Sequence, residues 1–226
     1  SGDIKVEYFY FITNMLAIIS PSKTQDFSQC DVDFYSQTRN LDNSSELVSI
    51  LKKKSQSQIS KLMSLSEKLS KLNFDRFQKF KLPFNRENAK QAILAFKGDV
   101  YNGIDAPALS TDDLNFAQDS VRMLSGLYGV IRPLDLIQPY RLEMGTKLSN
   151  SKGKDLYEYW GAEISDVLNE DESELIVNLS SNEYFKAVDK KTLNANVLDI
   201  VFKEKKGEAY KVIGIYAKRA RGLMVN

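Results

Sequence analysis

SGLYGVIRPLDLIQPYRLEMG, residues 125–145, packs three glycines, two prolines, two tyrosines and two arginines into one connection. The preceding STDDLNFAQDSVRML (110–124) reads as a hydroxyl-capped helix, with Asp112 and Asp113 at its positive end. Two readings follow for the connection. In the first, the chain simply reverses after a Schellman-type cap at Gly126. In the second, a glycine-marked turn, Ser125-Gly126-Leu127-Tyr128-Gly129, brings backbone N–H groups against a phosphate with no side chain in the way. Helix-hairpin-helix turns and the GXXG loop of KH modules use that device. The match is loose: the usual hairpin separates its glycines by one residue, and here two intervene. Pro133 also restricts any following helix unless it takes the first helical position. Val130-Ile131 equally starts a strand.

Upstream, MLAIISPSKTQDF (15–27) opens with an apolar run, Met15 to Ile19, that reads as a buried strand stopped by Pro21. YFYFIT (8–13) is either another strand or part of an extension ahead of Met15, so residues 1–14 are set apart as an N-terminal appendage. Residues 44–72 read as helical, with apolar residues at three- and four-residue spacings, Ser44 or Ser45 as N-cap, and KKKSQSQ as a possible interruption. FDRFQKFKLPF (74–84) has an aromatic at every third position before Pro83. RENAKQAILAF (86–96) reads as a helix stopped at Lys97-Gly98, and GDVYNGIDA (98–106) as turn-rich. Downstream, KGKDLYEYWGAEISDVLNE (152–170) reads as a helix interrupted by Gly161, and ELIVNLSS (174–181) as a buried strand. The end reads as a hairpin, 197–203 and 209–217 around a KKGE turn. Without a repeat or a long linker, the 226 residues describe one α+β domain with a mixed sheet and surrounding helices.

Several functions are excluded by what is missing. No histidine occurs anywhere in the sequence. That removes Ser-His and Cys-His catalysis, the usual zinc sites and the commonest general base at neutral pH. A lone Cys30 excludes an internal disulfide and suits a reducing compartment, so a cytoplasmic location is expected. The start, SGDIKVEYFYFITN, carries Asp3 and Glu7 and has no small-residue cleavage site, unlike a signal peptide. No apolar run approaches the roughly 18 residues of a membrane span. No metal, cofactor or membrane partner is expected. Net charge is only +1, yet it is unevenly spread. Residues 51–97 hold twelve Lys/Arg against three Asp/Glu, residues 98–180 six against fifteen, and residues 181–226 ten against five. Such asymmetry permits a basic face on a neutral protein, although the lysines of 51–81 equally read as solvated helix surface.

Five short constellations carry chemistry. SPSKT (20–24) ends a strand in hydroxyls and Lys23, which can meet a phosphate. It lacks the glycines of a Walker A loop, so a plain strand-to-loop corner is the competing reading. The glycine turn with Arg132 is the second. The third, PYRLEMG (139–145), sets Arg141 and Glu143 two apart on an extended segment, on one side: an ion pair, or a ligand-clamping carboxylate. The fourth, NLSSNEY with Lys186, bunches polar residues after an apolar strand, where α/β proteins keep their sites. In the fifth, KRARG, the cations Lys218, Arg219 and Arg221 crowd within four positions at the expected end of the hairpin, and such crowding favours a bound anion. Glu143, Glu183, Tyr184 and Lys186 are the candidate acid–base residues of a histidine-free site.

SPSKT, AFKGDVYNGIDA, LSGLYGVIRPLDLIQPYRLEMG, NLSSNEYFKAV and YAKRARGLM, in that order, resemble the YaaA family of bacterial peroxide stress proteins. The resemblance runs from Met15 to the C-terminus, so residues 15–226 form one YaaA-like domain. Members of that family continue past the RGLM segment, so a C-terminal segment is expected to be missing here. The resemblance implies a cytosolic protein that limits hydrogen peroxide damage and is linked to low free iron. It also implies a positively charged cleft and largely sequence-independent binding of double-stranded DNA through a helix-hairpin-helix-like element. That element maps onto the expected helix 112–124 and the turn Ser125, Gly126, Tyr128, Gly129. The matching cleft cations are Lys23, Arg132, Arg141, Lys186, Lys218, Arg219 and Arg221. The competing reading is an enzyme acting on a phosphorylated or nucleotide substrate in the same cleft.

Overall fold

The structure, a computed structural model, describes residues 14–226; the segment YFYFIT lies outside them. Met15–Ile19 form β1, with Leu16, Ile18 and Ile19 fully buried. After Pro21 comes a two-residue strand, β2 (Thr24–Gln25). The expected long helix is three: α1 (Leu41–Lys52), α2 (Gln56–Met63) and α3 (Glu67–Lys79). The breaks fall at serines. Ser55 caps α2, accepting from the Gln58 amide while the Gln58 side chain accepts from the Ser55 amide, a reciprocal capping box. Ser66 caps α3. The expected caps Ser44 and Ser45 instead sit inside α1, where their hydroxyls donate to the Asn40 and Leu41 carbonyls at 2.8 Å.

Residues 86–96 are not a helix. They give β3 (Lys90–Gln91), one helical turn α4 (Ala92–Ala95) and β4 (Phe96–Lys97). Residues 89–96 are buried throughout, and their amides pair with distant carbonyls instead of completing helical turns, Ala92 with Asp135 and Ile93 with Pro133. Conversely, the glycine-rich 98–106 is mostly helical, as α5 (Asp99–Ile104) followed by a tight turn at Ala106–Ala108. α6 (Thr111–Ser120) carries the expected hydroxyl cap, Ser110 to the Asp113 amide.

The helix expected through Leu124 stops at Ser120. Val121–Ser125 form β5 and Gly129–Ile131 form β6, an antiparallel hairpin. Every residue of β5 is buried. A short buried run whose apolar members are Val121, Met123 and Leu124 satisfies a strand as well as a helix, and pairing with β1 decides between them. β7 (Leu136–Ile137) pairs with β3. α7 (Leu156–Trp160) and α8 (Glu163–Asn169) are separated at Gly161, and β8 (Leu175–Asn178) follows. α9 (Asn182–Phe185) leads to β9 (Asn196–Asp199). The terminal hairpin is short, β10 (Glu204–Lys206) and β11 (Ala209–Lys211) around Gly207. The chain then turns helical as α10 (Gly214–Val225), so KRARG lies on a helix and not on a strand.

The main sheet runs β6-β5-β1-β8-β9. β5, β1, β8 and β9 are parallel and β6 is an antiparallel edge. This is the expected single α+β domain with a mixed sheet and surrounding helices.

Two long-range contacts tie these elements together. Arg122 on β5, only 4% exposed, forms a two-pronged ion pair with Asp171 at 2.7 and 2.9 Å. Arg39 adds two further bonds to Asp171, at 3.0 and 3.3 Å. α10 crosses α5 where Gly222 faces Gly103. A Cβ on Gly222 would run into the Val100 carbonyl, and one on Gly103 would lie 2.7 Å from the Arg219 carbonyl.

Burial pushes the Asp171 carboxyl up, but the hydrogen bonds and charges of Arg122 and Arg39 outweigh it and hold its pKa below the ordinary 3.8. Its stabilising contribution is complete above that value and is lost as pH falls through the lowered folded-state value. Asp171→Asn leaves Arg122 buried and unpaired, and is expected to cost about 3 kcal/mol or more in urea unfolding at neutral pH. The loss of stability in acid should shrink in the variant. Gly222→Ala should destabilise by about 1–3 kcal/mol through overpacking. Thermal unfolding checks this against Gly214→Ala, which meets nothing within 4 Å and should lose no stability.

Candidate functional site: a cationic cleft at the ends of β1 and β8

The loops leaving the C-terminal ends of β1 and β8 lie side by side. Chain crossings diverge there, because β5 flanks β1 on one side and β8 on the other, and open parallel sheets bind ligands at such points. Ser20 links the loops. Its hydroxyl accepts from the Ser181 amide at 2.8 Å and donates to the Ser181 hydroxyl at 3.3 Å. Tyr101 on α5 donates to the Ser20 carbonyl at 3.0 Å. Burial raises the Tyr101 hydroxyl pKa far above its ordinary range, so it stays a donor.

Between these loops, the start of α5 and one face of α10 lies a cleft of about 490 Å³. Lys23, Lys97, Lys218 and Arg221 line it, with Asp99 and Glu183. The antiparallel β2–β4 ladder pairs Thr24 with Lys97, which sets Lys97 near Lys23. Gly98, at φ +113°, turns the chain from β4 into α5 beside the Ser22 hydroxyl. Lys218 and Arg221 are three apart on α10 and so share a face.

The cations differ in how far they are committed. Lys23 pairs with Glu143 at 2.7 Å, and Arg141 holds the other oxygen of Glu143 at 3.1 Å. Lys97 is 3.9 Å from Asp26. Among the described residues, Lys218 and Arg221 take part in no ion pair. The Nε of Arg221 is buried without a hydrogen-bond partner, and burial pushes its guanidinium below the usual pKa.

Three of the four candidate acid–base residues gather at this cleft. Glu183 lines it, and its carboxylate accepts the Gly145 amide at 2.9 Å, which ties the PYRLEMG segment to the loop after β8. Tyr184 is 9% exposed. Burial, with added repulsion from Tyr140, Glu183 and Glu143, pushes its pKa up, so the hydroxyl can give a hydrogen bond but not serve as a base. Glu143 lies next to it across a small adjoining recess. Lys186 is elsewhere. It stands 4.8 Å from the centre of the Tyr157 ring and faces a neighbouring cavity of about 830 Å³.

The glycine turn does not face the cleft. Ser125, Leu127 and Tyr128 are 0% exposed. The Ser125 hydroxyl accepts the Leu127 and Tyr128 amides and lies 2.8 Å from the Tyr140 hydroxyl. Trp160 donates to the Gly126 carbonyl at 3.1 Å. A Cβ at Gly126 would strike the Leu142 carbonyl, and one at Gly129, φ +69°, would meet the Trp160 ring at 2.8 Å. The glycines thus admit protein backbone and an indole, not a phosphate. The expected helix–turn element at 112–129 is instead a helix, a strand and a buried hairpin turn. Arg132 is also committed, with bonds to the fully buried Asp135 at 2.9 and 3.1 Å. Arg219 is exposed and does not line the cleft.

Lys97 and Tyr101 were not singled out from the sequence as site residues. Their positions depend on the β2–β4 ladder and on α5, where glycine-rich composition conceals a helix. Among the described residues, no group of three or more His, Cys, Asp or Glu is placed to hold a metal ion, and no helix is long and apolar enough to cross a membrane.

Comparison with known proteins agrees with the motif order. The family described as peroxide stress protein YaaA matches residues 15–226. A UPF0246 protein of Acaryochloris marina is 56% identical over 214 residues, covering 94% of this chain and 85% of the relative. Another, from Albidiferax ferrireducens, is 55% identical over 215 residues, covering 93% and 83%. One from Idiomarina loihiensis is 53% identical over 215 residues with the same coverage. The chain belongs to the YaaA family of peroxide stress proteins.

Proposed function

We propose that the chain acts in the peroxide stress response by binding double-stranded DNA, largely independently of sequence, through the cationic cleft. The observation that carries this reading is the pair Lys218 and Arg221, in no ion pair among the described residues although Asp99 and Glu183 share the cleft, and set beside Lys23 and Lys97. Cations with no internal partner are suited to phosphate oxygens, and their contacts release counterions from the duplex. Hydroxyls of Ser22 and Ser181 at the same cleft add neutral donors to a phosphate. In this proposal the backbone amides of the 125–129 turn take no part. Protection against peroxide follows from occupancy of DNA, and the link to low free iron is indirect.

A second reading is favoured by the cleft's size. A volume of about 490 Å³ falls within the range of small-molecule sites, and Glu183 and Tyr184 stand on its wall. An enzyme acting on a phosphorylated or nucleotide substrate would use Lys218 and Arg221 to bind the phosphate, with Tyr184 donating a hydrogen bond. Turnover of such a substrate, abolished by Glu183→Gln, would move the weight to this reading.

The test is fluorescence anisotropy with a labelled duplex at two salt concentrations. The double variant Lys218→Ala/Arg221→Ala should weaken binding at least tenfold and reduce the slope of log K against log salt by about 2. Arg219→Ala, outside the cleft, should weaken it much less. Binding that is indifferent to salt, or to the double variant, would sink the DNA reading.

A further inference from the structure

The cavity next to the cleft has a different character. The two share Ser181, Glu183 and Arg221, so one guanidinium faces both. Phe185, Ile200 and Phe202 give the cavity apolar walls, and Val201 and Val212 stand at its exposed rim, 61% and 55% accessible. At the sheet end the lining turns polar. The Asn178 amide donates to Asp199 at 2.7 Å, and its carbonyl oxygen accepts the Ser180 hydroxyl at 2.7 Å. Lys186 and Lys190 complete the lining. Lys190 lies 5.3 Å from the centre of the Phe185 ring and 3.6 Å from Asp199.

An apolar slot with aromatic walls, a hydrogen-bonding end and a shared arginine at its mouth matches one ligand chemistry. A nucleobase has two apolar faces that stack on aromatic side chains and a polar edge that needs donors and acceptors. Its attached phosphate needs cations a sugar's length away. Charge complementarity argues for an anionic ligand over a plain apolar peptide: with Lys190 and Asp199 paired to each other, Lys186 and Arg221 remain against one further lining carboxylate, Glu183. The cavity of about 830 Å³ is ample for one base and its sugar.

We propose that this cavity takes a single unstacked nucleobase while its phosphate occupies the cationic cleft. The inference rests on the phosphate reading of the cleft given above. The shared chemistry is a nucleotide, presented either by an unpaired position in a DNA strand or as a free mononucleotide. A pocket that encloses a single base must first have it taken out of the stack, and an unpaired base is the cheapest to take.

The experiment uses three labelled duplexes: fully paired, carrying one unpaired adenine, and carrying an abasic residue at the same place. Competition by free dAMP and by deoxyribose 5-phosphate forms a separate arm. The expected result is at least tenfold tighter binding of the unpaired-base duplex than of the other two. 2-Aminopurine at the unpaired position should change its emission on binding. In Val201→Asn/Val212→Asn, a charge-neutral change at exposed positions, the affinity ratio between unpaired and abasic duplexes should fall to near one with an unchanged thermal midpoint. Strand preference of this kind assigns the base to DNA. Stronger competition by dAMP than by deoxyribose 5-phosphate, without duplex preference, assigns it to a free nucleotide. Equal binding of all three duplexes, with dAMP no better than deoxyribose 5-phosphate, overturns the inference and leaves the cleft reading standing. Failure of every duplex and both phosphates to bind overturns both.

Discussion

β1 has a partner on both edges and is buried at Leu16, Ile18 and Ile19, and this constraint organises the molecule. A strand without access to water must find protein partners for its amides and carbonyls. β5 and β8 supply them in parallel register, Ile19 opposite Met123 and Ile18 opposite both Arg122 and Asn178. Parallel pairing brings the ends of β1 and β8 out at the same edge. The Ser20–Ser181 link then holds the two loops together, and Tyr101 anchors the first of them to α5. Cleft and neighbouring cavity both hang from this arrangement.

Charge at the site is decided by where carboxylates are already engaged. Glu143 is shared by Lys23 and Arg141, and Glu183 holds the Gly145 amide. Asp135 engages Arg132, and Asp171 engages Arg39 and Arg122. What remains is the pair on α10. Lys218 and Arg221 reach the cleft because α10 approaches α5 at Gly103 and Gly222 more closely than any side chain at those positions would permit. A near-neutral chain thereby presents a local positive field, in keeping with the view that distribution and not net charge governs what a surface attracts. Arg221 lines both halves of the proposed nucleotide site, and Lys218 the cleft alone.

Parts of this were legible in the residues. The apolar run Met15–Ile19 and ELIVN could only be buried strands at their lengths, and both are. Gly161 separated two helices as expected, and Ser110 capped α6. Lys23, Lys218, Arg221, Glu183 and Tyr184, singled out as separate motifs, stand around one cleft. Other readings failed for physical reasons. VRMLS carries no local feature that forbids a helix, and only the free edge of β1 selects the strand. GDVYNGI looked like a turn because glycine propensity is a local measure, while Gly103 is there for a helix crossing over a hundred residues away in the chain. KRARG was expected on a strand, although helical spacing is what sets two of its cations toward the cleft and leaves Arg219 outside.

By itself the sequence determined the class of fold, several of its strands and caps, and which residue types are present in it. Those follow from composition, the lack of histidine and short-range periodicity, all of which act within a few residues. Tertiary structure decided which of those residues meet. The glycines of 125–145 serve the contact of backbone with backbone and with Trp160, and this depends on a partner, Leu142, sixteen residues beyond Gly126 and on an indole farther still. Likewise, Arg132 and Arg221 are indistinguishable as sequence letters. One is bound to a buried aspartate and the other has no carboxylate among the described residues, because long-range packing, and not local preference, settles which charges are compensated inside the protein.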